Sequence, residues 1–255
     1  MSRWSPDRLR ALWPSRRAPA VELCLTDTQP AAIEQQLDAL ALPPNTQLTC
    51  IVAGEGVRYR IVPWRDELSR PAQRQLLAEQ CFSDAYGEVA RGWTVRQHAT
   101  RYGAATLACA IDTALLDQLA AQSLARRVAL ESVQPALMHA YNLVRHDMAP
   151  GLHWFVLLDA GSTTLLLLSP TEPLLVKRIA SSALDLSSAL DREWFALGME
   201  PTRCAVYLVR RGSVPAPAVS RHANSSSWAI VDLTPPEAAP APIRLAPATP
   251  TAVNA

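Results

Sequence analysis

The apolar positions in the second half of the chain predict several short β-strands interrupted by one helix. Three apolar runs follow one another with only short turns between them, and a stripe at helical spacing comes next and ends at Gly198. Two further apolar runs lie beyond the helix. The predicted strands are 154–159, 163–169, 174–179, 204–209 and 228–233, and the predicted helix is 183–197.

The first half of the chain contains the same kinds of element in a less regular pattern. Two β-rich runs are separated by the glycine turn Gly54-Glu55-Gly56, which favours a hairpin. A helix should follow, with Ser69 as its N-cap and Pro71 in its first turn. The predicted strands are 48–53, 57–64, 93–100, 105–111 and 127–132, and the predicted helices are 71–85, 112–125 and 135–145.

The order strand, strand, strand, helix, strand is typical of the start of a ribonuclease-H-like unit. Because both halves use the same elements, we expect an α/β protein with two ribonuclease-H-like lobes around a cleft. The last residues are rich in proline and alanine and cannot bury enough surface to fold, so we expect a disordered tail. The expected segments are a basic N-terminal segment 1–20, a first lobe 21–150, a second lobe 151–234 and the tail 235–255.

Composition and charge exclude several classes of protein. The chain has 255 residues, is 49% hydrophobic and carries 24 basic against 23 acidic residues, so it lacks the basic excess of a nucleic-acid-binding protein. No apolar run is long enough to span a membrane, and the N-terminus does not resemble a secretory signal. The five cysteines are irregularly spaced and include no C-x-x-C pair. We therefore expect a cytoplasmic protein with free thiols and no metal.

The N-terminal segment is a candidate for contact with a membrane surface. Five arginines and one aspartate lie in residues 1–20, together with Trp4 and Trp13. A short helix carrying Arg8 and Arg10 beside these tryptophans could lie on anionic lipid at the inner face of the inner membrane. Prolines at both ends limit that helix to about two turns, which is marginal in water. A terminal strand or a flexible arm is the alternative.

The most specific local motif is the turn after the strand 154–159. There Asp159 precedes Gly161 and the hydroxyl-bearing residues Ser162, Thr163 and Thr164. Backbone N–H groups and hydroxyls in such a turn can hold a phosphate, while the aspartate can hold a metal-bound water. The alternative is an ordinary β-hairpin, in which aspartate and glycine only form the turn.

The segment 159–164 resembles the second phosphate loop of actin-like ATPases. In particular, the order of elements over residues 45–210 is similar to the cytoplasmic actin-like proteins of type IV pilus and type II secretion platforms, the PilM and GspL group. The resemblance implies a protein that binds a short cytoplasmic peptide of an inner-membrane partner. It also implies that Asp159 and its neighbours are what remains of a nucleotide site.

Two departures from the nucleotide-binding pattern argue against an ATPase. The N-terminal strand and its turn, 21–30, contain no glycine, whereas the resemblance requires a glycine-rich first phosphate loop there. No Gly-Gly pair occurs anywhere in the chain, although such a pair lies near the adenosine in nucleotide-binding relatives. Since a nucleotide pocket must hold both the phosphates and the base, we expect no nucleotide cofactor and no catalytic residue.

Other polar residues have ordinary interpretations. His139, His146 and His153 recur every seven residues, but His153 lies beyond a Pro-Gly turn, so a shared metal is disfavoured. Asp191 and Glu193 fall on the predicted helix 183–197, where a solvated face is favoured.

Three functions therefore remain under consideration. The leading one is a non-catalytic scaffold of an inner-membrane pilus or secretion platform. The alternatives are a nucleotide-dependent actin-like ATPase or sugar-kinase-like enzyme that uses Asp159, and a structural interaction module of unknown partner.

Overall fold

Three β-sheets and five α-helices form the described part of the chain. The computed structural model describes residues 20–98, 101–180, 186–199, 204–212, 214 and 228–235. The strands are β1 Ala20–Leu25, β2 Gln47–Val52, β3 Val57–Val62, β4 Trp93–Gln97, β5 Thr106–Asp112, β6 Ala129–Pro135, β7 His153–Asp159, β8 Ser162–Leu168, β9 Pro173–Ala180, β10 Ala205–Arg210 and β11 Ile230–Asp232. The helices are α1 Pro30–Ala39, α2 Pro71–Tyr86, α3 Thr113–Ala125, α4 Ala136–Val144 and α5 Leu186–Ala196.

The second lobe is a five-stranded sheet with the order β11-β10-β7-β8-β9. Strands β7, β8 and β9 are joined as consecutive antiparallel hairpins, whereas β10 and β11 are parallel to β7. Helix α5 covers one face through Leu186, Leu190 and Trp194. This arrangement of three antiparallel strands, a helix and parallel strands confirms the predicted ribonuclease-H-like order.

The first lobe is a three-stranded parallel sheet with the order β1-β2-β6. Its strands correspond to β7, β10 and β11 of the second lobe, because in both sheets a helix connects the first two of them and all three run parallel. Helices α1 and α3 cover one face, where Ile33 and Leu119 pack against β1 and β2. The first lobe has no strands in the positions of β8 and β9 within the described residues.

A third sheet, with the order β3-β5-β4, is inserted between β2 and β6 in the chain. It is antiparallel throughout, and Ala78 and Phe82 of α2 pack on one of its faces. It also contacts the second lobe, since the Ala105 N–H donates to the Glu172 carboxylate at 2.6 Å. Arg178 of β9 donates to the Gly54 carbonyl. The inserted sheet is therefore held against both lobes.

Helix α4 lies between the two lobes and belongs to the cores of both. Its buried residues Leu137 and Val144 pack against Ile51 of the first sheet and against Phe155 and other residues of the second. Phe155 and Leu137 are both fully buried. The boundary between the lobes is therefore filled by apolar side chains along α4.

Several expectations for the first half are wrong in detail. The residues Gly54–Gly56 do not join a hairpin, because β2 and β3 lie in different sheets and the turn is a single 3-10 turn. The N-cap of α2 is Arg70 and not Ser69, with Pro71 at the first helical position. Helix α1 was not expected at all. The basic segment 1–19 and the tail 236–255 lie outside the described residues.

Candidate functional site

The turn that follows β7 is a two-residue hairpin. Asp159 pairs with Ser162 at the ends of β7 and β8, and Gly161 adopts φ +83°, a left-handed conformation that favours glycine. The strands place Asp159 and the hydroxyl residues of the motif close in sequence and in space. This geometry confirms the predicted strand–turn–strand order.

The five residues of the motif do not all face the same way. Side chains alternate along a strand, and directly paired residues share a face. Asp159, Ser162 and Thr164 therefore lie on the face that carries Phe155 and α4. Thr163 lies on the opposite face, towards α5. The structure thus separates Thr163 from the other residues that sequence analysis grouped with it.

Asp159 is enclosed and faces a cation. Its carboxylate is buried, with 7% of the residue exposed, and lies 3.5 Å from the Arg211 guanidinium. Arg211 follows β10, and its backbone N–H donates to the Leu158 carbonyl at 2.9 Å. Burial raises the pKa of Asp159, and the positive charge of Arg211 opposes that shift. The carboxylate that would hold a metal-bound water is therefore engaged by an internal arginine.

The inserted sheet presents an aromatic residue to this cluster. Tyr59 of β3 is close enough to Asp159 and Arg211 for both charges to affect its pKa, although burial is the main cause of its raised pKa. Its hydroxyl accepts a hydrogen bond from the Leu137 N–H of α4 at 3.3 Å. On the same face of the second sheet, Arg178 of β9 lies opposite Thr164 and donates to the Gly54 carbonyl. Contacts between protein groups, those of Tyr59 with Leu137 and of Arg178 with Gly54, therefore lie beside the Asp159 turn.

The first lobe has no turn equivalent to the one at Asp159. Strand β1 is followed by a short loop, in which the Gln29 N–H donates to the Asp27 carboxylate at 2.8 Å, and the chain then enters α1 at Pro30. An antiparallel strand does not follow β1. The missing glycine in this segment therefore reflects the absence of the whole hairpin and not a change of one side chain.

The three predicted histidines lie in different surroundings. His139 of α4 interacts with Gln134 at 3.3 Å and with Glu22 at 3.6 Å, and burial lowers its pKa. His146 follows α4, whereas His153 begins β7 and lies 2.9 Å from the Gly151 carbonyl. Among the described residues, no group of three or more His, Cys, Asp or Glu side chains could hold a metal ion.

The expected solvated acidic face of α5 is wrong for Glu193. This carboxylate is buried and accepts hydrogen bonds from Lys177 and Arg192 at 2.9 and 3.0 Å. Burial alone would raise the pKa of Glu193, but these hydrogen bonds outweigh it and the pKa lies below its ordinary value. Asp191 accepts from the Trp228 indole at 2.9 Å. Both acids therefore fasten α5 to its surroundings.

A pocket of about 330 Å³ lies between the first lobe and the inserted sheet. It is at the carboxyl ends of β1 and β2, where open α/β sheets commonly bind ligands. Apolar walls come from Trp93, Ala110 and Leu115, and the rim is polar and charged. The lining residues are Thr28, Gln29, Pro30, Glu55, Gly56, Arg58, Trp93, Ala110, Asp112, Ala114, Leu115 and Gln118.

The walls of this pocket are closely fitted. A Cβ atom on Gly56 would lie 2.6 Å from side-chain atoms of both Thr28 and Val52, so only glycine fits there. The Arg58 guanidinium lies 5.9 Å from the centre of the Trp93 ring, within range of a cation–π contact. Sequence analysis missed this pocket because its residues come from four separate segments. In the sequence, this pocket is indicated only by the closely spaced glycines Gly54 and Gly56.

The comparisons with known proteins concern the fold. No protein family model and no curated protein matches the sequence. The cytoplasmic domain of EpsL, an inner membrane component of the type II secretion system of Vibrio cholerae, aligns with a TM-score of 0.55 over 84% of this chain and 88% of its own, at 10% identity. The PilM-PilN type IV pilus biogenesis complex aligns with a TM-score of 0.51 over 72% and 69%, at 16% identity.

A third solved structure is a protein from Bacteroides thetaiotaomicron with an actin-like ATPase fold and unknown function. Its TM-score is 0.48 over 76% of this chain and 82% of its own, at 12% identity. Only the first two likenesses are close enough to support a statement about fold. Together with the sheet order of the second lobe, they confirm the predicted α/β fold class and a likeness in fold to EpsL and to the PilM-PilN complex.

Proposed function

We propose that this chain is a non-catalytic cytoplasmic scaffold of a type IV pilus or type II secretion platform. In this role it lies at the inner face of the inner membrane and binds a short cytoplasmic segment of a membrane partner. Its likeness in fold to EpsL and to the PilM-PilN complex supports the proposal. Among the described helices, none is long and apolar enough to cross a membrane.

The absence of catalysis is inferred from one observation, which is that only one of the two lobes has a turn that could hold phosphate. A nucleotide is held between two phosphate loops, and here only the second lobe has the hairpin that could form one. In that hairpin, Asp159 is buried and paired with Arg211. A bound triphosphate would therefore lack the first phosphate loop, and the charge of the Asp159 carboxylate in the second is already compensated by Arg211.

The pocket beside Trp93 is our candidate for the partner's segment. It combines apolar walls with hydrogen-bonding groups on the rim, and the Gln118 side chain already donates to the Pro30 carbonyl at 3.1 Å. A short extended segment could place one apolar side chain against Trp93 and Leu115 while its backbone contacts the polar rim.

Filling the pocket tests where the partner binds. Ala114 lines the pocket, is exposed and lies in the first turn of α3, so Ala114→Trp should obstruct the pocket without disturbing the core. Ala120 on the same helix is exposed and lies outside the pocket, so Ala120→Trp is the matched control. Cytoplasmic peptides of the inner-membrane pilus or secretion proteins encoded beside this gene are the probes.

We expect fluorescence anisotropy to show at least tenfold weaker peptide binding for Ala114→Trp and unchanged binding for Ala120→Trp. Equal binding by both variants would remove the pocket from the proposal. If none of these peptides binds the wild-type chain, the scaffold function itself is contradicted.

Nucleotide titration tests the absence of catalysis. A fluorescent ATP analogue with magnesium is expected to give no saturable signal at micromolar concentrations. Tight, magnesium-dependent binding that Asp159→Asn abolishes would instead support the nucleotide-dependent enzyme.

Membrane contact through Trp4, Arg8, Arg10 and Trp13 belongs to the same proposal and lies outside the described residues. Deleting residues 1–17 should reduce co-sedimentation with anionic liposomes, and more strongly at low salt, because arginines attract anionic lipid electrostatically. Unchanged co-sedimentation would exclude this segment as the membrane contact.

A further inference from the structure

Among the residues that the structure describes, none forms a strand along the outer edge of β1. The Ala53 N–H donates to the Leu25 carbonyl at 2.9 Å, so the backbone groups of Leu25 face β2. Because backbone groups alternate along a strand, those of Glu22 and Cys24 face the other way, out of the sheet. No described strand pairs with this edge.

Other described sheet edges of the molecule are shorter, irregular or engaged. Strand β6, the opposite edge of the first sheet, has a register shift against β2 and ends in Pro135. Strand β11 has only three residues, and β9 lies beside β3 of the inserted sheet. On β4, the Gln75 side chain of α2 donates to the Val95 carbonyl at 3.1 Å. Natural proteins commonly protect edges with bulges, prolines or lysines. Strand β1 has six residues, none of them proline or lysine, and a regular register with β2.

The side chains along this edge indicate which segment it would suit. Glu22 is exposed, and its ion-pair partner among the described residues is His139 at 3.6 Å. Burial lowers the pKa of His139, which favours the neutral imidazole and weakens its ion pair with Glu22. The neighbouring positions Val21 and Leu23 face the apolar core of the first lobe. The edge therefore alternates between one acidic and several apolar positions.

We propose that the outer edge of β1 accepts an extended segment of a partner protein as a fourth strand of the first sheet. The segment carries Arg or Lys opposite Glu22 and apolar side chains beside Val21 and Leu23. Main-chain hydrogen bonds to Glu22 and Cys24 provide the affinity, and the ion pair provides the selectivity. A second copy of this chain fits less well, because antiparallel pairing of two such edges brings the two Glu22 carboxylates near each other. This surface is separate from the pocket beside Trp93, so the proposal does not rest on the proposed function.

Two synthetic peptides test the selectivity. One ten-residue peptide alternates valine and arginine, and the other alternates valine and glutamate. Amide hydrogen exchange, followed by NMR, reports on the N–H groups of Glu22 and Cys24, which should exchange rapidly in the free chain. The arginine peptide is expected to slow their exchange at least tenfold, and the glutamate peptide is not. Equal effects of the two peptides, or none, would overturn the proposal.

Three variants test the geometry. Cys24→Pro removes an outward N–H while leaving the pairing with β2 intact, so it should abolish the protection by the arginine peptide. Cys24→Ala is its matched control and should bind normally. Glu22→Arg should reverse the preference towards the glutamate peptide. Circular dichroism would confirm that the variants are folded, and Glu22→Arg still tests the proposal if Cys24→Pro is not. If the free chain shows concentration-dependent protection at these amides together with a dimer in light scattering, the occupant is a second copy and the proposal is wrong.

Discussion

Strands β1 and β7 occupy the same place in the two lobes, yet their surroundings differ. Counted from the first paired residue, the third position is Glu22 in β1 and Phe155 in β7. Phe155 is fully buried beneath α4, whereas Glu22 is exposed. Strand β7 has neighbours on both sides, while β1 has one. The described first lobe has no counterpart of strands β8 and β9 or of the turn between β7 and β8, so changing single side chains could not create a phosphate loop there.

The largest expected effect comes from the third position of each strand. Phe155→Ala should lower the free energy of unfolding by about 3–5 kcal/mol, because it leaves a cavity between the lobes. Glu22→Ala should change it by less than about 0.5 kcal/mol, as for most exposed sites. Urea denaturation followed by tryptophan fluorescence measures both. Similar losses at the two positions would mean that β1 is covered as β7 is.

The next effect concerns the charge pair at the β7–β8 turn. Arg211→Met leaves the buried Asp159 without its cation and should cost about 3 kcal/mol at pH 7. Because burial raises the pKa of Asp159, the protonated form is favoured in the folded state. The protonated carboxyl of Asp159 therefore stabilises the folded state below the ordinary pKa of aspartate, and this contribution is lost as pH rises through the raised pKa. The loss in Arg211→Met should therefore be smaller at pH 4 than at pH 7.

The variant Asp159→Asn with Arg211→Met provides the control for that pair. Removing both charges should recover most of the stability at pH 7. Thermal unfolding at the two pH values would show this, and a loss independent of pH would assign the effect of Arg211 to packing.

A smaller effect on stability is expected from acidic residues on the helices that cover the two sheets. Glu193→Gln on α5 should cost about 1–2 kcal/mol at pH 7, because it removes charged hydrogen bonds from Lys177 and Arg192, both partly exposed. Glu34→Gln on α1 changes an exposed residue and should be nearly neutral. The pKa of Glu193 is lowered, so its contribution is present above its ordinary pKa and is lost as pH falls through the folded value. The unfolding curves of wild type and Glu193→Gln should therefore differ at pH 7 and converge at pH 3.

The smallest expected effect is at the turn itself. Gly161→Ala should cost about 1 kcal/mol, because φ +83° is unfavourable for a residue with a side chain. Gly161→Asn should cost less, since asparagine tolerates this region better. Differential scanning calorimetry can resolve the order of the three proteins. If Gly161→Ala were neutral, the turn would have to change its conformation.

Sequence reasoning predicted the second lobe well because each element there carries its own signal. Strands β7, β8 and β9 each contain a continuous run of apolar residues and are separated by clear turns. In the first lobe, helix α1 was missed although Pro30 begins it and Ile33 and Leu37 have the spacing of a buried face. A single pair of apolar residues in ten positions is a weak helical signal.

The candidate site was less accessible to sequence reasoning than the fold. Asp159 and its neighbours were found because they are contiguous, but Arg211 lies about fifty residues away and no local pattern connects the two. Glu193 was assigned to a solvated face because its partner Lys177 lies outside helix α5, on strand β9. The pocket beside Trp93 requires knowing that the turn after β2 leads into a separate sheet. These errors all concern the packing of distant segments.

Helix α4 has a consequence for how the chain is made. Its last residue, Val144, is synthesised about 90 residues before Leu233, the last described residue of the core cluster that contains the helix. At about 5–20 residues per second, part of its apolar side stays uncovered for several seconds. During that interval the nascent first half cannot complete its core, and separate expression of that half would make the exposure permanent. The newborn chain should therefore depend on chaperones most strongly just after Val144 has been synthesised.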